Sequence, residues 1–599
     1  MKKITAFLLV LLLSFSMLCG CSEKNNPPAG GDDNNNNNQQ VENKSYLGTD
    51  FDKTDNTNLE KVITQPNFTV NKNVAEGTDV LPNTVFSDKM MLQRNAVTCV
   101  YGTASSDGPV AAEINGKTYY GTAEKGEFKI YMEPMKYGGP YTLTVYCETS
   151  KYVINDVLIG EVFLMSGQSN MEWKMSNKLA GDQGLHEQGG MYRPDAEKDP
   201  DTYYQFYNES GAMKDTDERN EALIAETLNS IVHTDMIRIC DTPIRNLDSD
   251  LYENTTTERA DANAMWVSAA DDDMESTIGY TSAFAYYFAL KLWQETGIPV
   301  GYVHSSLGAT FVSAWTPEEE FEENRSVFSY VHNEDFRRPN VLYNLYIAPY
   351  KNFKFKSVVW YQGEGQPTNY AQSMKVMIES WRSRFSDPNL AFMIVGFPRY
   401  GAADGYYSGM TAEAYKNASV DTPLYSPNYY PCREQQKLIP TLVSGVAVSV
   451  NVSTGDYDEI HPSEKQTPAN NTACKFMEVF YKRTDKVLSG PVIESVDKDA
   501  DGSVIITFGN VGEGIDLRNN GRNFEVAETK NRYTYKAEVE KLNDTQIRIY
   551  CEDLSEINYI RYGYLNYPRI SRTDMSLYMS VYNSAGFALD QFTWAAEEA

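Results

Sequence analysis

The sequence predicts an α/β core built on a parallel sheet, with a β-domain on each side, and three observations predict it. Between about 156 and 487, short apolar runs of strand length alternate with segments of helical length, which implies a parallel sheet with both faces covered. Over 80–155 and 488–599 alternating runs are separated by turn residues, with no helical pattern between them, which is strand patterning of the sandwich kind. A chain of 599 residues with 41% hydrophobic content also supplies more than one buried core.

The elements follow in order. Residues 1–21 open with Lys2 and Lys3, continue as an apolar run over 4–18, and end at Leu18-Cys19-Gly20-Cys21. That run is shorter than the roughly 20 residues that span a bilayer, and its basic start and small-residue end predict a signal peptide. Leu-Cys-Gly-Cys resembles a bacterial lipobox, which makes Cys21 the lipidated first residue of an exported protein held at the bacterial cell surface or in the periplasm. A signal peptide without the lipid is the alternative. Residues 22–79 are polar and of low complexity, with five asparagines at 34–38. They predict a disordered tether, because they bury too little apolar surface to offset ordering entropy.

In the first β-domain, 80–155, strands are expected at 96–101, 128–132 and 141–147. A near-continuous apolar run over 157–165 then predicts a buried parallel strand, ending in a tight loop at Ser166-Gly167-Gln168-Ser169-Asn170. An acidic, hydrophilic insertion with some helix is expected over 172–263. The core resumes with a helix at 282–295, strands at 300–304 and 357–361, a helix at 371–385 and a strand at 390–397. Strands at 503–508, 534–539 and 546–550 belong to the closing β-domain, 488–599.

A net charge of -29 argues against nucleic acid as a partner, since polyanions would be repelled. Beyond Cys19 and Cys21 there are six widely spaced cysteines, compatible with buried thiols or with disulfides in an exported chain. No Cys-x-x-Cys or Cys/His cluster suggests a metal site. Asp497-Lys498-Asp499-Ala500-Asp501-Gly502 begins like a calcium loop, but the position that needs a bidentate Glu is Phe508. A hairpin turn is the expectation there.

Acyl-transfer chemistry requires a hydroxyl on a tight loop, a base, an orienting carboxylate and oxyanion donors. Ser169 follows its strand directly, at the carboxyl end where ligands sit in open α/β sheets. His461 lies in Asp456-Tyr457-Asp458-Glu459-Ile460-His461-Pro462, where Asp458, three residues earlier, can turn back and hold one ring nitrogen while the other serves Ser169; Asp456 and Glu459 are rivals for the orienting role whose offsets fit less well. His186, His233, His304 and His332 lack that carboxylate spacing and read as surface or packing residues.

Four blocks then carry a resemblance: 86–94 (Phe-Ser-Asp-Lys-Met-Met-Leu-Gln-Arg), 167–172 (Gly-Gln-Ser-Asn-Met-Glu), 360–364 (Trp-Tyr-Gln-Gly-Glu) and 460–462 (Ile-His-Pro). In this order they resemble the sialate O-acetylesterase family, as do pieces at 523–527, 561–562 and 583–586, so that the likeness covers about 80–599. The resemblance implies an SGNH-hydrolase core, a flavodoxin-like parallel sheet, acting without cofactor on acetyl esters of sugars. It implies Ser169, His461 and Asp458 as the catalytic residues. It also places the backbone amide of Gly308 at the oxyanion, with the Ser169 amide, Gln362 and Gln168 as further donors. The chain has Ala309 where the family pattern has a second glycine, and Gly365-Gln366 where relatives carry Ser then Asn or Asp. Glu364, Gln366, Asn170, Trp173 and Trp315 are candidates for support or substrate contact, and Tyr361 offers another aromatic face. The implied partner is an acetylated carbohydrate, whether sialic acid, xylan, mannan or another glycan. A decayed carbohydrate-binding lipoprotein, or a lipase or peptidase with related machinery, are the competing readings.

Overall fold

The computed structural model describes residues 47–175, 231–242, 255–271, 281–400, 429–456, 460–462, 464–521, 523–534, 537–564 and 579–596. The signal peptide, Cys21 and the tether up to residue 46 lie outside them, as do 176–230 and 243–254 of the acidic insertion and Asp458.

The first eight strands are β1 (Val80–Pro82), β2 (Met91–Gln93), β3 (Thr98–Ala104), β4 (Gly108–Ile114), β5 (Lys117–Glu124), β6 (Glu127–Met132), β7 (Gly138–Tyr146) and β8 (Lys151–Gly167). They form an antiparallel run in the order β1-β3-β6-β5-β4-β7-β8, with β2 added parallel to β8. The decisive element is β8. Its first half pairs antiparallel with β7, and from Glu161 to Gly167 it pairs parallel with strands on both sides. One strand therefore runs through the expected junction at 155–156 and fuses the β-layer to the core sheet. Its sequence shows why: residues 157–167 are all buried, as a strand covered on both faces requires.

The core adds β9 (Ile237–Asp241), β10 (Met265–Ser268), β11 (Val300–Ser306), β12 (Ser357–Tyr361), β13 (Ala391–Ile394), β14 (Arg399–Tyr400), β15 (Val446–Val448) and β16 (Gly455–Asp456). Parallel pairing runs β9-β11-β8-β12-β13-β15. Within it, β11-β8-β12-β13-β15 has the 2-1-3-4-5 order of a doubly wound sheet, whose switch point lies where β8 meets its neighbours. The insertion, expected as loop and helix, contributes strand β9 to the sheet edge, and β10 pairs antiparallel beside it.

Side-chain alternation on β12 assigns the two covering layers. Val358 and Trp360 enter the cluster that holds Met374, Trp381 and Ile439, so helices Tyr370–Arg384 and Tyr429–Leu442 cover that face. Val359 and Tyr361 enter the cluster with Phe284, Phe288 and Phe476, from helices Ala283–Thr296 and Gln466–Phe480. Ser282 starts the first of these by accepting from the Ala285 amide at 3.1 Å, and Gly297 at φ 67° ends it.

At its Glu161 end, β8 is clamped by the 86–94 block. Arg94 Nε donates to Glu161 Oε1 at 2.8 Å, Gln93 Nε2 donates to Glu161 Oε2 at 2.8 Å, and Gln93 Oε1 accepts from the Val162 amide at 2.8 Å. The rest of the guanidinium reaches Asp52 and the Phe51 carbonyl, each at 2.7 Å. This block is structural: it fastens Phe51 and Asp52 to the strand that carries Ser169, so the stretch expected as a disordered tether over 22–79 is packed against the core from Leu47 on, with Leu47 and Phe51 buried.

The remaining strands are β17 (Val492–Lys498), β18 (Val504–Gly509), β19 (Ile515–Leu517), β20 (Phe524–Ala527), β21 (Glu538–Lys541), β22 (Gln546–Tyr550), β23 (Tyr559–Tyr562), β24 (Val581–Asn583) and β25 (Phe592–Ala595). They make three small antiparallel sheets around a separate core that includes Ile506, Phe508, Ile549 and Ile560. The strand expected at 534–539 instead occupies Glu538–Lys541, with Thr534 making only an isolated bridge to Val526. The Asp497–Gly502 stretch is the β17–β18 turn, where Asp501 accepts from the Ser503 amide at 3.0 Å and its hydroxyl at 2.6 Å. All six described cysteines are buried and unbridged.

Candidate active site

The site gathers at the carboxyl ends of β8, β11 and β12. Gly167, at φ 136°, ends β8 against β12 so closely that a Cβ there would stand 2.1 Å from the Tyr361 carbonyl oxygen, and only glycine fits. The Gln168 amide then donates to that same carbonyl at 2.9 Å, turning the chain into the short helix Ser169–Glu172. Ser169 Oγ stands 2.7 Å from His461 Nε2, although 292 residues separate them in sequence. The imidazole lies parallel to the Trp173 ring, with centroids 5.5 Å apart and planes 13° apart. Trp173 is thus a neighbour of the candidate base, 4% exposed.

The expected oxyanion donors are placed differently. The Gly308 N–H donates to Glu172 Oε2 at 2.7 Å, so in this state it faces a carboxylate of the protein itself. Gln362, fully buried, donates its Nε2 to the Thr310 carbonyl at 2.7 Å and braces the 307–310 loop. Gln168 donates its Nε2 to Glu364. Among the described residues, the Ser169 N–H at the first turn of its helix is the one expected donor not committed to a protein acceptor. Gly308 nevertheless lies at the nucleophile, since a Cβ there would be 3.1 Å from Ser169 Cβ. Its neighbour Ala309 is held at φ 57°, the left-handed region that favours glycine, which accounts for the glycine of the family pattern at this position.

Glu364 sits between the loops. Its carboxylate accepts from Gln168 and, at 2.7 Å, from Asn170 Nδ2. Asn170 Nδ2 also reaches the Ile460 carbonyl at 3.1 Å, and its Oδ1 accepts from Lys465 Nζ at 2.7 Å. Asn170 is therefore committed to protein on every side. Gln366 is 3% exposed, with an Nε2 that meets no partner. Trp315, a candidate sugar face, is fully buried, edge-on to Trp360 and bonded through Nε1 to Thr310 Oγ1 at 3.0 Å; it is core. Tyr361 is likewise fully buried. His304 is buried too, with Nε2 2.7 Å from Ser306 Oγ. Sequence reasoning missed Glu172 and Lys465, whose roles rest on contacts across 136 and 295 residues. Among the described residues no group of three or more His, Cys, Asp or Glu could hold a metal ion.

With that geometry in place, known proteins can be compared. Residues 245–425 match the family model described as carbohydrate esterase, sialic acid-specific acetylesterase. This stretch contains Gly308, Gln362 and Glu364 but neither Ser169 nor His461. The mouse sialate O-acetylesterase is 21% identical over 414 residues, covering 61% of this chain and 66% of its own. The human sialate O-acetylesterase is 22% identical over 400 residues, covering 63% and 64%. The chain is a relative of the sialate O-acetylesterases. Its match spans just under two thirds of the length of these two acetylesterases. A solved carbohydrate acetylesterase from Xanthomonas citri superposes with a TM-score of 0.62 at 22% identity, over 86% of this chain and 99% of that one, so the two share a fold. The carbohydrate acetylesterase family and the mixed α/β architecture thus stand together, with Ser169 and His461 supplied by parts of the chain outside the family-model match.

Proposed function

We propose that the protein is a serine esterase that hydrolyses O-acetyl esters of carbohydrate, and the 2.7 Å contact between Ser169 Oγ and His461 Nε2 carries this reading. His461 takes the hydroxyl proton as Ser169 Oγ attacks the acetyl carbonyl, forming a tetrahedral oxyanion beside the Ser169 N–H. The imidazolium gives its proton to the sugar oxygen, the sugar leaves, and an acetyl-enzyme remains. Water, deprotonated by His461, then releases acetate and regenerates Ser169. Asp458, three residues before His461, is the proposed orienting carboxylate. Gly308 joins the oxyanion donors when Glu172 gives up its amide.

The proposed setting is an exported lipoprotein, anchored through Cys21 and meeting acetylated glycans at the cell surface or in the periplasm. Sialic acid is one candidate sugar, and acetylated xylan or mannan the others. The test is acetate release from a panel of acetylated glycans by the full chain and by Ser169→Ala. The expected result is release from at least one glycan, lost in the variant. Activity on long acyl chains or amides alone would favour the lipase or peptidase reading. Glycan binding without acetate release would favour a decayed binding protein.

A further inference from the structure

Lys465 is fully buried, four residues after the candidate base and at the entry to helix Gln466–Phe480. Burying an ammonium is unfavourable unless the fold uses it. Its Nζ donates to Asn170 Oδ1 at 2.7 Å and lies 5.5 Å from the centre of the Trp173 ring. An asparagine amide has an accepting and a donating end. With Lys465 on the oxygen, Asn170 must turn its NH2 toward Glu364 Oε1, at 2.7 Å, and the Ile460 carbonyl, at 3.1 Å. Ile460 directly precedes His461, and Asn170 directly follows Ser169. One amide thus ties the nucleophile's loop to the base's loop, and Lys465 sets which way that amide faces.

We infer that Lys465 is a positioning residue for the Ser169–His461 pair, acting through the orientation of Asn170. The inference rests on the esterase reading and deepens it. An error of about 1 Å in reacting geometry lowers rate on the order of 100-fold, and a loosened Ile460 carbonyl transmits part of such an error to His461. A merely structural lysine would lower the fraction folded and leave the turnover of folded molecules intact.

The experiment measures acetate release from an aryl acetate by the full chain, together with labelling of Ser169 by a fluorophosphonate and thermal melting. For Lys465→Met the expected result is a fall in kcat of about 10- to 100-fold, KM within about twofold, and a parallel slowing of Ser169 labelling. Lys465→Arg should restore most of kcat. The double variant Lys465→Met/Asn170→Ala should be no slower than the slower single variant, because both break one relay. If Lys465→Met does not fold, Asn170→Asp reads the same relay: it keeps an acceptor for Lys465 but loses both NH2 donations, and should show the same fall in kcat. An active wild type with unchanged kcat in Lys465→Met or Asn170→Asp, or with multiplicative defects in the double variant, overturns the inference alone. A wild type that neither releases acetate nor takes the label overturns the esterase reading and this inference with it.

Discussion

At the Glu161 end of the parallel part of β8, buried polar groups are matched in pairs; at the Gly167 end, six residues on, they converge on a hydroxyl. Arg94, Glu161 and Gln93 satisfy one another and fasten Phe51 and Asp52. Burial pushes the Glu161 carboxyl up, but the Arg94 and Lys356 charges and the hydrogen bonds from Gln93 and Arg94 together outweigh it and hold the group below the ordinary glutamate range. Beside them, Lys354 bridges Asp55 and Asp387 at 2.6 and 2.5 Å. At the other end, Glu364 and Asn170 satisfy each other with the same kinds of bond and also link the loops that carry Ser169 and His461. The contrast teaches that a buried polar cluster is not by itself a site. What marks the Gly167 end is a serine hydroxyl and an imidazole nitrogen 2.7 Å apart at the carboxyl edge of the sheet.

The largest test of this contrast is His461→Ala, which should lower kcat by roughly 10,000-fold or more while melting within a few degrees of wild type; acetate release and calorimetry read both. Next is Arg94→Met, which takes from buried Glu161 its hydrogen-bonded counter-charge and leaves it the Lys356 charge. It should lose about 3–5 kcal/mol of stability in denaturant titration, with kcat of the folded fraction unchanged. A catalytic defect there would erase the distinction between the ends. Gly308→Ala presses a methyl to 3.1 Å from Ser169 Cβ and 3.2 Å from Glu172 Oε2, so the loop must shift by tenths of an ångström. About a tenfold fall in kcat with little change in melting is expected.

The smallest effect is a pH dependence. Burial raises Asp55, but the charge and hydrogen bond of Lys354 outweigh it and bring the carboxyl from 3.8 to about 2. A depressed folded-state value stabilises above the unfolded one, so this contribution is present above about pH 4 and is lost as pH falls toward 2. After allowing for solvent screening it is on the order of 1 kcal/mol. Urea midpoints at pH 5, 4, 3 and 2 should fall more steeply in wild type than in Lys354→Met.

How much of this was legible in the sequence follows from the range of the interactions. β12 reads directly because all of its five residues are buried, and a doubly covered strand leaves an unbroken apolar run. Ser169 and His461 are legible because each sits in a compact block whose spacing implies chemistry. β8 is only half legible: residues 151–153 are half-buried and Asn155 is exposed, and nothing local says that the strand continues into the core. β9 is hidden because five residues inside a long acidic stretch carry too little pattern. That Gly308 lies beside Ser169 is legible, but its bond to the Glu172 carboxylate is not, since that carboxylate comes from another loop. Nothing in its local sequence marks Lys465, and only the assembled fold puts it on Asn170.

The continuity of β8 bears on how this scaffold can change. Its 17 residues bend once, at Asp156 with φ 55°, where the register against β7 also shifts; from Val157 to Gly167 the strand runs on without a break, and Ser169 lies two residues beyond its tip. A change of preference among the proposed sugars has no purchase on that stretch without moving the Ser169 hydroxyl. It is open to the loops beside the serine, 307–310 and 362–366, which Gln362 ties to each other, while the strand keeps the hydroxyl at a fixed address.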